Sequence, residues 1–217
     1  MKIIPQKAKL LTLTHAAAEI MEYAARTCTA TTHLVGNNAD FIKESIIKSK
    51  HYSILEHASV TFELTTNRAI ANQIVRHRMA AYAQESMRYV KLTRKGNGIP
   101  VIAPHGFDDW STESKTAWIE AVNQSENTYK QLLAAGIKAE DARGVLPLDT
   151  ATVLIATWNL RELFHILYHP VSGRLTNKHA QPQTRELFAM VEQELKRRCP
   201  AVYELAEAYK ETEKVTE

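Results

Sequence analysis

From residue 73 to residue 89 the chain reads QIVRHRMAAYAQESMRY. Residues 76–78 (RHR) are three consecutive side chains that carry or can gain positive charge, and Arg88 follows Ser86 ten residues later. Such a cluster repels itself, so it is either a solvated basic face or a binding site for an anion. In the second case the guanidinium groups bind a phosphate bidentately, and the Ser86 hydroxyl adds a neutral donor.

The segment before this cluster predicts the secondary structure that carries it. Residues 59–65 alternate apolar and polar side chains, the pattern of a strand with one buried face. Residues 67–79 repeat apolar side chains at helical spacing, which predicts an amphipathic helix. Gln73 lies one turn before Arg76 on that helix, and its amide can pair with the polar edge of a pyrimidine.

The rest of the chain interleaves helical and extended patterns. A further strand is expected over residues 9–14, and further helices over 15–28, 38–50, 150–168, 183–198 and from 112 to a C-cap at Gly136. Glycine and proline mark residues 91–109 as a loop. Because no repeat or low-complexity linker divides the sequence, we expect one domain over residues 1–217, with residues 210–217 frayed.

Composition excludes several classes of protein. The 217 residues are 45% hydrophobic with a formal net charge of only +3, so bulk charge does not indicate a nucleic-acid partner. Cys28 and Cys199 are far apart and lack the spacing of metal ligands, which favours neither a disulfide framework nor a metal site. No apolar run has the length of a signal or membrane-spanning segment. We therefore expect a soluble, cytoplasmic protein with no metal and no membrane partner.

The arginine cluster also resembles a known family. Residues 76–78, followed by seven residues and Ser86, are similar to the signature of the flavin-dependent thymidylate synthases. Other blocks resemble that family in the same order along most of the chain: LEH at 55–57, ARGVLP at 142–147, NLRE at 159–162 and AQPQTRE at 180–186.

The resemblance implies a fold, a reaction and a set of ligands. The fold is an α+β domain with an antiparallel sheet and packed helices, assembled as a homotetramer whose active sites are shared between subunits. The reaction is the reductive methylation of dUMP to dTMP, with methylene-tetrahydrofolate as carbon donor and FAD reduced by NADPH. The flavin carries the electron chemistry, so no cysteine nucleophile is required. No nucleic-acid partner is implied.

The resemblance also assigns residues to each ligand. For FAD these are Ser53, Glu56, Arg76, His77, Arg78, Gln84, Asn159, Arg161 and His165. For dUMP these are Gln73, Arg76, Gln84, Glu85, Ser86, Met87, Arg88, Arg143 and Arg174.

Arg174 is the predicted catalytic residue. Many family members carry an arginine about eleven residues after the asparagine of the NLRE block, where this chain has Pro170. We interpret Arg174 as that arginine, displaced by a short insertion. Its permanent charge suits it to stabilise negative charge that develops on the uracil ring. The chain also departs from the commoner family pattern at Ala81, Ala83 and Gln84, where that pattern has serine, asparagine and glutamate. This departure affects the detailed contacts of Gln84.

Structural roles remain alternatives for several of these residues. Asn159 also has the position of a helix N-cap, and Arg143 follows two acidic residues with which it can pair locally. Arg161 and His165 are four residues apart, which suits either a shared ligand or a solvent-exposed stripe.

Two other functions also remain open. One is a nucleic-acid-binding module that stacks bases on Tyr82 and Tyr89. The other is a family relative that modifies another pyrimidine nucleotide or delivers a hydroxymethyl group.

Overall fold

A computed structural model of the chain describes residues 1–92, 98–169 and 175–214. Its strands are β1 (Lys2–Ile3), β2 (Lys7–Leu13), β3 (Ser59–Asn67), β4 (Ala80–Gln84), β5 (Pro100–Val101) and β6 (Ala151–Asn159). Its α-helices are α1 (Ala17–Thr27), α2 (Asn38–Phe41), α3 (Arg68–Ile74), α4 (Thr112–Ala134), α5 (Ala139–Ala142), α6 (Leu160–Tyr168), α7 (Pro182–Arg198) and α8 (Pro200–Lys214). A π-helical segment, Ile42–Ile47, continues α2.

Four strands form a sheet in the order β2-β3-β6-β4. The backbone N–H of Thr14, just after β2, donates to the carbonyl of Ser59 at the start of β3 at 2.9 Å. Leu160, just after β6, donates to the carbonyl of Ala58, just before β3, at 2.9 Å. Strand ends thus meet strand beginnings, which makes these pairs antiparallel. The predicted α+β class with an antiparallel sheet is confirmed, and β1 and β5 form a separate, short parallel pair.

The described residues divide into two compact units. Unit 1 contains residues 1–7, 65–74, 83–92 and 98–154. Unit 2 contains residues 8–64, 75–82, 155–169 and 175–214. The single-domain organisation stays a prediction.

The core of unit 2 is built on the alternating strand β3. Val60, Phe62 and Leu64 are fully buried, as the period-two pattern predicts. Trp158 of β6 is also fully buried, with its ring centroid 6.3 Å from that of Phe62. Its indole Nε1 donates to the Tyr82 hydroxyl at 3.1 Å. This bond ties the chain just after residues 76–78 to the core.

The core of unit 1 holds the segment that follows β4. Met87 is 8% exposed and belongs to a buried cluster with Leu92, Ile99, Tyr129 and Ala142. Met87 therefore anchors the residues on either side of it at the surface of this unit, because its thioether side chain is removed from water.

One predicted helix is wrong over half its length. Residues 150–168 do not form a single helix, since Ala151–Asn159 is the strand β6 and the helix α6 begins only at Leu160. Residues 151–157 contain four β-branched side chains, and burial alternates along them. Those features favour a strand in a sheet, and the helical spacing of the following apolar residues does not extend back into it.

The helix predicted over residues 67–79 is also too long. α3 ends at Ile74, and the chain then passes through residues 75–79 into β4. Residues 76–78 consequently lie in a turn and an irregular segment, and Gln73 and His77 do not share a helix face. Pairing of β4 with β6 overrides the local helical pattern.

The remaining predicted elements are close to those observed. The predicted strand at residues 9–14 and the helices at 15–28, from 112 to a Gly136 C-cap, and at 183–198 correspond to β2, α1, α4 and α7. The helix expected over 38–50 is α2 followed by its π-helical continuation. α8 extends through Lys214, where Tyr52 donates to the buried Glu213 carboxylate at 2.7 Å. Residues 215–217, part of the expected frayed end, lie outside the described residues.

Candidate functional site

The RHR segment of unit 2 contains one buried histidine between two exposed arginines. His77 Nδ1 lies 3.1 Å from Glu162 Oε1, and the two side chains are only 9% and 16% exposed. His77 Nε2 is buried and has no hydrogen-bond partner within residues 1–92, 98–169 and 175–214. A buried polar atom without a partner is rare in native proteins, so this nitrogen is an unsatisfied group within unit 2.

The first turn of α6 contributes further residues to this site. The Asn159 side chain accepts a hydrogen bond from the backbone N–H of Glu162 at 2.8 Å, so it is the N-cap of α6. The Arg161 guanidinium donates to Glu56 Oε1 at 2.5 Å. Asn159 is therefore a helix N-cap, as the sequence allowed. Its side chain also lies at the candidate site.

Two cavities open in this part of unit 2. The first has a volume of about 460 Å³, and its lining includes Glu56, Asn159, Arg161 and His165. The second, of about 760 Å³, is lined by Ser53 among others and shares Tyr52 and Arg161 with the first. The second cavity is basic, since its charged or titratable lining residues are Arg26, Lys50, His51 and Arg161 besides Cys28 and Tyr52.

Burial shifts the pKa values of three titratable groups that line the first cavity. Desolvation lowers the pKa of His165, and the nearby His169, with its ring 4.8 Å away, acts in the same direction although Glu162 opposes it. Burial raises the pKa of Tyr209 and of Tyr52. At neutral pH the cavity therefore presents a neutral imidazole and neutral phenols, which are hydrogen-bonding groups without charge.

Unit 1 contains a different arrangement of the predicted residues. Arg88 Nε lies 3.2 Å from Glu140 Oε2, and its side chain is 54% exposed. Arg143 donates from Nε to the backbone carbonyl of Glu140 at 3.0 Å, which replaces the ion pair that the sequence allowed with a backbone contact. The Ser86 hydroxyl accepts from the backbone N–H of Arg88 at 3.2 Å. Glu140 thus contacts both arginines.

Arg68 is a residue that the sequence analysis missed. It lies at the start of α3 and donates from Nη2 to the backbone carbonyl of Glu85 at 2.7 Å, while its Nε is buried without a partner in the described part of the chain. Burial lowers the pKa of Arg68. The charge of Glu85 opposes this effect, and the charge of Arg143 adds to it. A cation at a helix N-terminus opposes the helix dipole, and this signal was present in the sequence.

The remaining predicted residues of unit 1 have smaller, defined positions. Gln84 donates from Nε2 to the Thr152 hydroxyl at 3.4 Å, and Glu85 lines a separate cavity of about 200 Å³. Gln73 is half-buried in α3.

The predicted ligand sets separate largely by unit. Unit 2 contains every residue assigned to FAD except Gln84: Ser53, Glu56, Arg76, His77, Arg78, Asn159, Arg161 and His165. Unit 1 contains every described residue assigned to dUMP except Arg76: Gln73, Gln84, Glu85, Ser86, Met87, Arg88 and Arg143. Arg174, the predicted catalytic residue, lies outside the described residues.

Metal ligands and membrane segments were also sought among the described residues. No group of three or more His, Cys, Asp or Glu side chains is arranged to hold a metal ion in the described ranges. Among the helices described, none has both the length and the apolar composition needed to cross a bilayer.

Solved structures place the fold in a known class. The chain superimposes on a crystal structure of the UMP/dUMP methylase PolB from Streptomyces cacaoi bound with 5-Br dUMP, with a TM-score of 0.75 and 25% sequence identity. The match covers 97% of this chain and 98% of that one. The fold is therefore that of the α+β class to which this methylase belongs.

The sequence comparisons identify the family. The family model described as "Thymidylate synthase complementing protein" matches residues 9–201, so the chain belongs to this family. A flavin-dependent thymidylate synthase of Geobacter sulfurreducens is 42% identical over 124 residues, which are 56% of this chain and 52% of that protein. One from Pyrococcus abyssi is 36% identical over 149 residues, covering 68% of this chain and 59% of its own length. The chain thus spans about half to three fifths of the length of these two relatives.

Proposed function

We propose that this protein is a flavin-dependent thymidylate synthase that methylates dUMP to dTMP. The observation that carries the proposal is the first cavity of unit 2, where four residues that the family resemblance assigns to FAD line one space of about 460 Å³. Those residues come from distant parts of the sequence: Glu56, Asn159, Arg161 and His165. We further propose NADPH as the reductant and methylene-tetrahydrofolate as the carbon donor.

The residues of unit 2 fit FAD chemically. The basic second cavity suits a diphosphate, because arginine and lysine neutralise its charge and Ser53 adds a neutral hydroxyl. Asn159, Arg161 and His165, which line the first cavity, offer hydrogen-bonding groups to the polar edge of an isoalloxazine ring. Bound FAD would supply the transfer of reducing equivalents from NADPH to the nucleotide. The chain's own role is to bind and orient.

The residues of unit 1 fit a nucleotide phosphate. Arg88 and Arg143 both contact Glu140, and the partly buried Arg68 adds positive charge near Arg143. Like charges held close together in a partly buried setting lower their repulsion when an anion binds among them. We assign the dUMP phosphate to these arginines and Ser86, and polarisation of the uracil ring to Arg174.

The choice of nucleotide rests on the relatives. PolB is described as a methylase of UMP and of dUMP, and it is 25% identical to this chain. The proteins that are 42% and 36% identical are described as thymidylate synthases. Both descriptions are consistent with dUMP as substrate and methyl as the group delivered, and parallel assays with dUMP and UMP, followed by product analysis, test both points.

A nucleic-acid-binding module is the less favoured function. That function needs Tyr82 and Tyr89 as stacking faces. Tyr82 is engaged in unit 2, because its hydroxyl accepts from Trp158 and its ring packs edge-on against the indole. Tyr89 is 76% exposed, with Arg88 over its ring at 5.5 Å. One of the two required aromatic faces is thus committed to the core.

Assembly and location belong to the same proposal. We propose a homotetramer with active sites shared between subunits, and a cytoplasmic location. This part of the proposal follows the family resemblance, which implies a homotetramer with shared sites. Light scattering combined with size-exclusion chromatography measures the assembly directly.

Flavin titration tests the function. The purified protein should bind FAD with the visible spectrum of a flavoprotein, oxidise NADPH, and form dTMP from dUMP and methylene-tetrahydrofolate. A protein that neither takes up FAD nor oxidises NADPH in the presence of dUMP would contradict the proposal.

A further inference from the structure

Lys50 occupies a backbone position at which the fold favours glycine. Its φ is 57°, in the left-handed region that side chains with a Cβ atom adopt at a cost. The backbone N–H of His51 donates to the Ile46 carbonyl at 2.9 Å, and that of Lys50 donates to the Ile47 carbonyl at 3.0 Å. These two bonds form a Schellman motif, which ends the helical segment 38–47 and usually has glycine at the left-handed position. The helix end therefore explains the conformation of Lys50 but not the choice of lysine.

The Lys50 side chain lies at the wall between the two cavities of unit 2. It lines the second cavity. Its Nζ atom is 4.0 Å from Glu213 Oε1, the oxygen that also accepts from the Tyr52 hydroxyl at 2.7 Å. Glu213 lines the first cavity and Tyr52 lines both. The amine is thus within reach of a ligand that extends from the first cavity into the second, as a dinucleotide can.

Two cations of the second cavity are held in different ways. Arg26 Nε donates to Glu22 Oε1 at 2.7 Å, and the guanidinium lies 4.2 Å from the centre of the Phe41 ring. The Lys50–Glu213 pair is longer, and the lysine side chain is 44% exposed. Exposed ion pairs are weak, and lysine has a long, flexible side chain. Lys50 can therefore turn its amine from Glu213 toward an anion in the cavity, whereas Arg26 adds a fixed charge.

We infer that Lys50 is a binding residue for the diphosphate group of FAD, and that this contact is the reason for a lysine where the helix end favours glycine. The inference rests on the proposed function, because FAD is the ligand named. The family resemblance assigns no role to Lys50. Strained residues that persist in a fold cluster at ligand sites, which agrees with its position on the second cavity.

The test compares Lys50→Gly and Lys50→Arg with Lys48→Gln. The glycine variant removes the amine and at the same time relieves the backbone strain, so a loss of binding cannot be attributed to a weakened helix end. The arginine variant keeps the positive charge. Lys48 is a matched control for the loss of one charge, since it lies two residues earlier, is 61% exposed and pairs with Glu44 instead of lining the second cavity.

Stability and affinity should change in opposite directions or independently. Lys50→Gly without FAD should melt at the wild-type temperature or above it, because glycine adopts the left-handed conformation without strain. The same variant should bind FAD about tenfold more weakly, as expected for the loss of a charge-assisted contact at a partly exposed site. Lys50→Arg and Lys48→Gln should bind FAD within about twofold of wild type, because each keeps a cation at position 50.

The dependence of FAD affinity on salt is the second readout. Salt screens charge–charge contacts, so FAD affinity should fall less steeply with salt concentration in Lys50→Gly than in wild type. Lys48→Gln should keep the wild-type dependence. Titrations followed by flavin fluorescence measure all four proteins at low and high salt.

The outcomes that overturn the inference are distinct from failure of the proposed function. Equal FAD affinity in wild type and Lys50→Gly overturns it, and so does an equal loss in Lys50→Gly and Lys48→Gln or in Lys50→Gly and Lys50→Arg. A wild-type salt dependence in Lys50→Gly also overturns it. A lower melting temperature of Lys50→Gly would assign the lysine to the stability of the helix end instead. A wild-type protein that binds no FAD overturns the proposed function itself, and with it the ligand named here.

Discussion

The His77–Glu162 pair of unit 2 has side chains 9% and 16% exposed, whereas the Arg88–Glu140 pair of unit 1 has side chains 54% and 36% exposed. Exposed ion pairs contribute about 0–1 kcal/mol, so Arg88 can leave Glu140 for a ligand at little cost. Removing one member of a buried pair leaves an unsatisfied polar group, at about 1–3 kcal/mol. His77 is thus held in place by Glu162, whereas Arg88 can leave its carboxylate when a ligand binds, and so can Arg161, whose pair with Glu56 is 50% and 40% exposed.

Arg174 gives the largest expected effect, because among the residues assigned to dUMP it is the one assigned to the reacting uracil ring. If it stabilises charge that develops on the uracil during the reaction, Arg174→Ala should lower turnover by about 10²-fold or more while FAD remains bound and reducible. Single-turnover kinetics with prereduced protein measures this directly. Arg185→Ala in α7 is the control and should retain turnover. Normal turnover in Arg174→Ala would remove this residue from the mechanism.

Replacing one arginine of each unit with alanine tests most directly whether the two ligand sets follow the two units. Arg161→Ala should weaken FAD binding and leave dUMP affinity nearly unchanged, whereas Arg143→Ala should do the reverse. A charge-assisted contact that is lost on truncation is expected to lower affinity about 10- to 100-fold. Isothermal titration of both ligands against both variants gives the four affinities. Equal loss of both ligands in either variant would show that the ligand sets do not follow the two units.

Variants of Arg88 and Glu140 test whether the Arg88 side chain leaves its ion pair when dUMP binds. Arg88→Ala should weaken dUMP binding by about tenfold, toward the lower end for a phosphate contact because the side chain is half exposed. Ser86→Ala should weaken it less. Glu140→Gln is the matched control: it releases Arg88 and should leave dUMP affinity unchanged or slightly higher. A large loss of dUMP affinity in Glu140→Gln would mean that the ion pair is required for the site.

The half-buried His165 of the first cavity predicts a pH dependence of stability. Burial lowers the pKa of His165 in the folded protein, so the unfolded chain binds a proton more readily. Stability should therefore be fully present above the ordinary value of 6.5 and fall as the pH drops below it. The groups facing His165 are Glu162, His169, His77 and Glu213.

Thermal melts from pH 7.5 to 5.5 measure this effect. His165→Asn should show a smaller decrease in melting temperature than wild type, because it has no imidazole to protonate. His33→Asn, an exposed histidine of the same unit, should follow wild type. Parallel curves for all three proteins would contradict the assignment.

Loss of both cysteines should have the smallest effect. Cys28 and Cys199 are free thiols at the C-terminal ends of α1 and α7. Burial raises the pKa of Cys199, which disfavours the thiolate that a nucleophile requires. The double variant Cys28→Ser, Cys199→Ser should form dTMP at a rate close to wild type. An inactive double variant that is folded and loaded with flavin would restore a covalent thiol mechanism.

Local sequence patterns were sufficient to predict those helices and strands that can be recognised from their own residues. The alternation in residues 59–65 predicted β3 and its buried face, and the helical spacing and flanking residues predicted α1, α4 and α7. The motif order predicted the family. These properties depend on neighbouring residues or on spacing along the chain, so one sequence contains them.

Only the tertiary structure decided which residues meet. β6 and β4 were not predicted as strands, because pairing with distant strands overrode local apolar spacing. The contact of His77 with Glu162, 85 residues apart, and the buried nitrogens of His77 and Arg68 have no local signature. Such contacts arise from how strands and helices pack, and their energies depend on burial and distance, which sequence spacing alone does not contain.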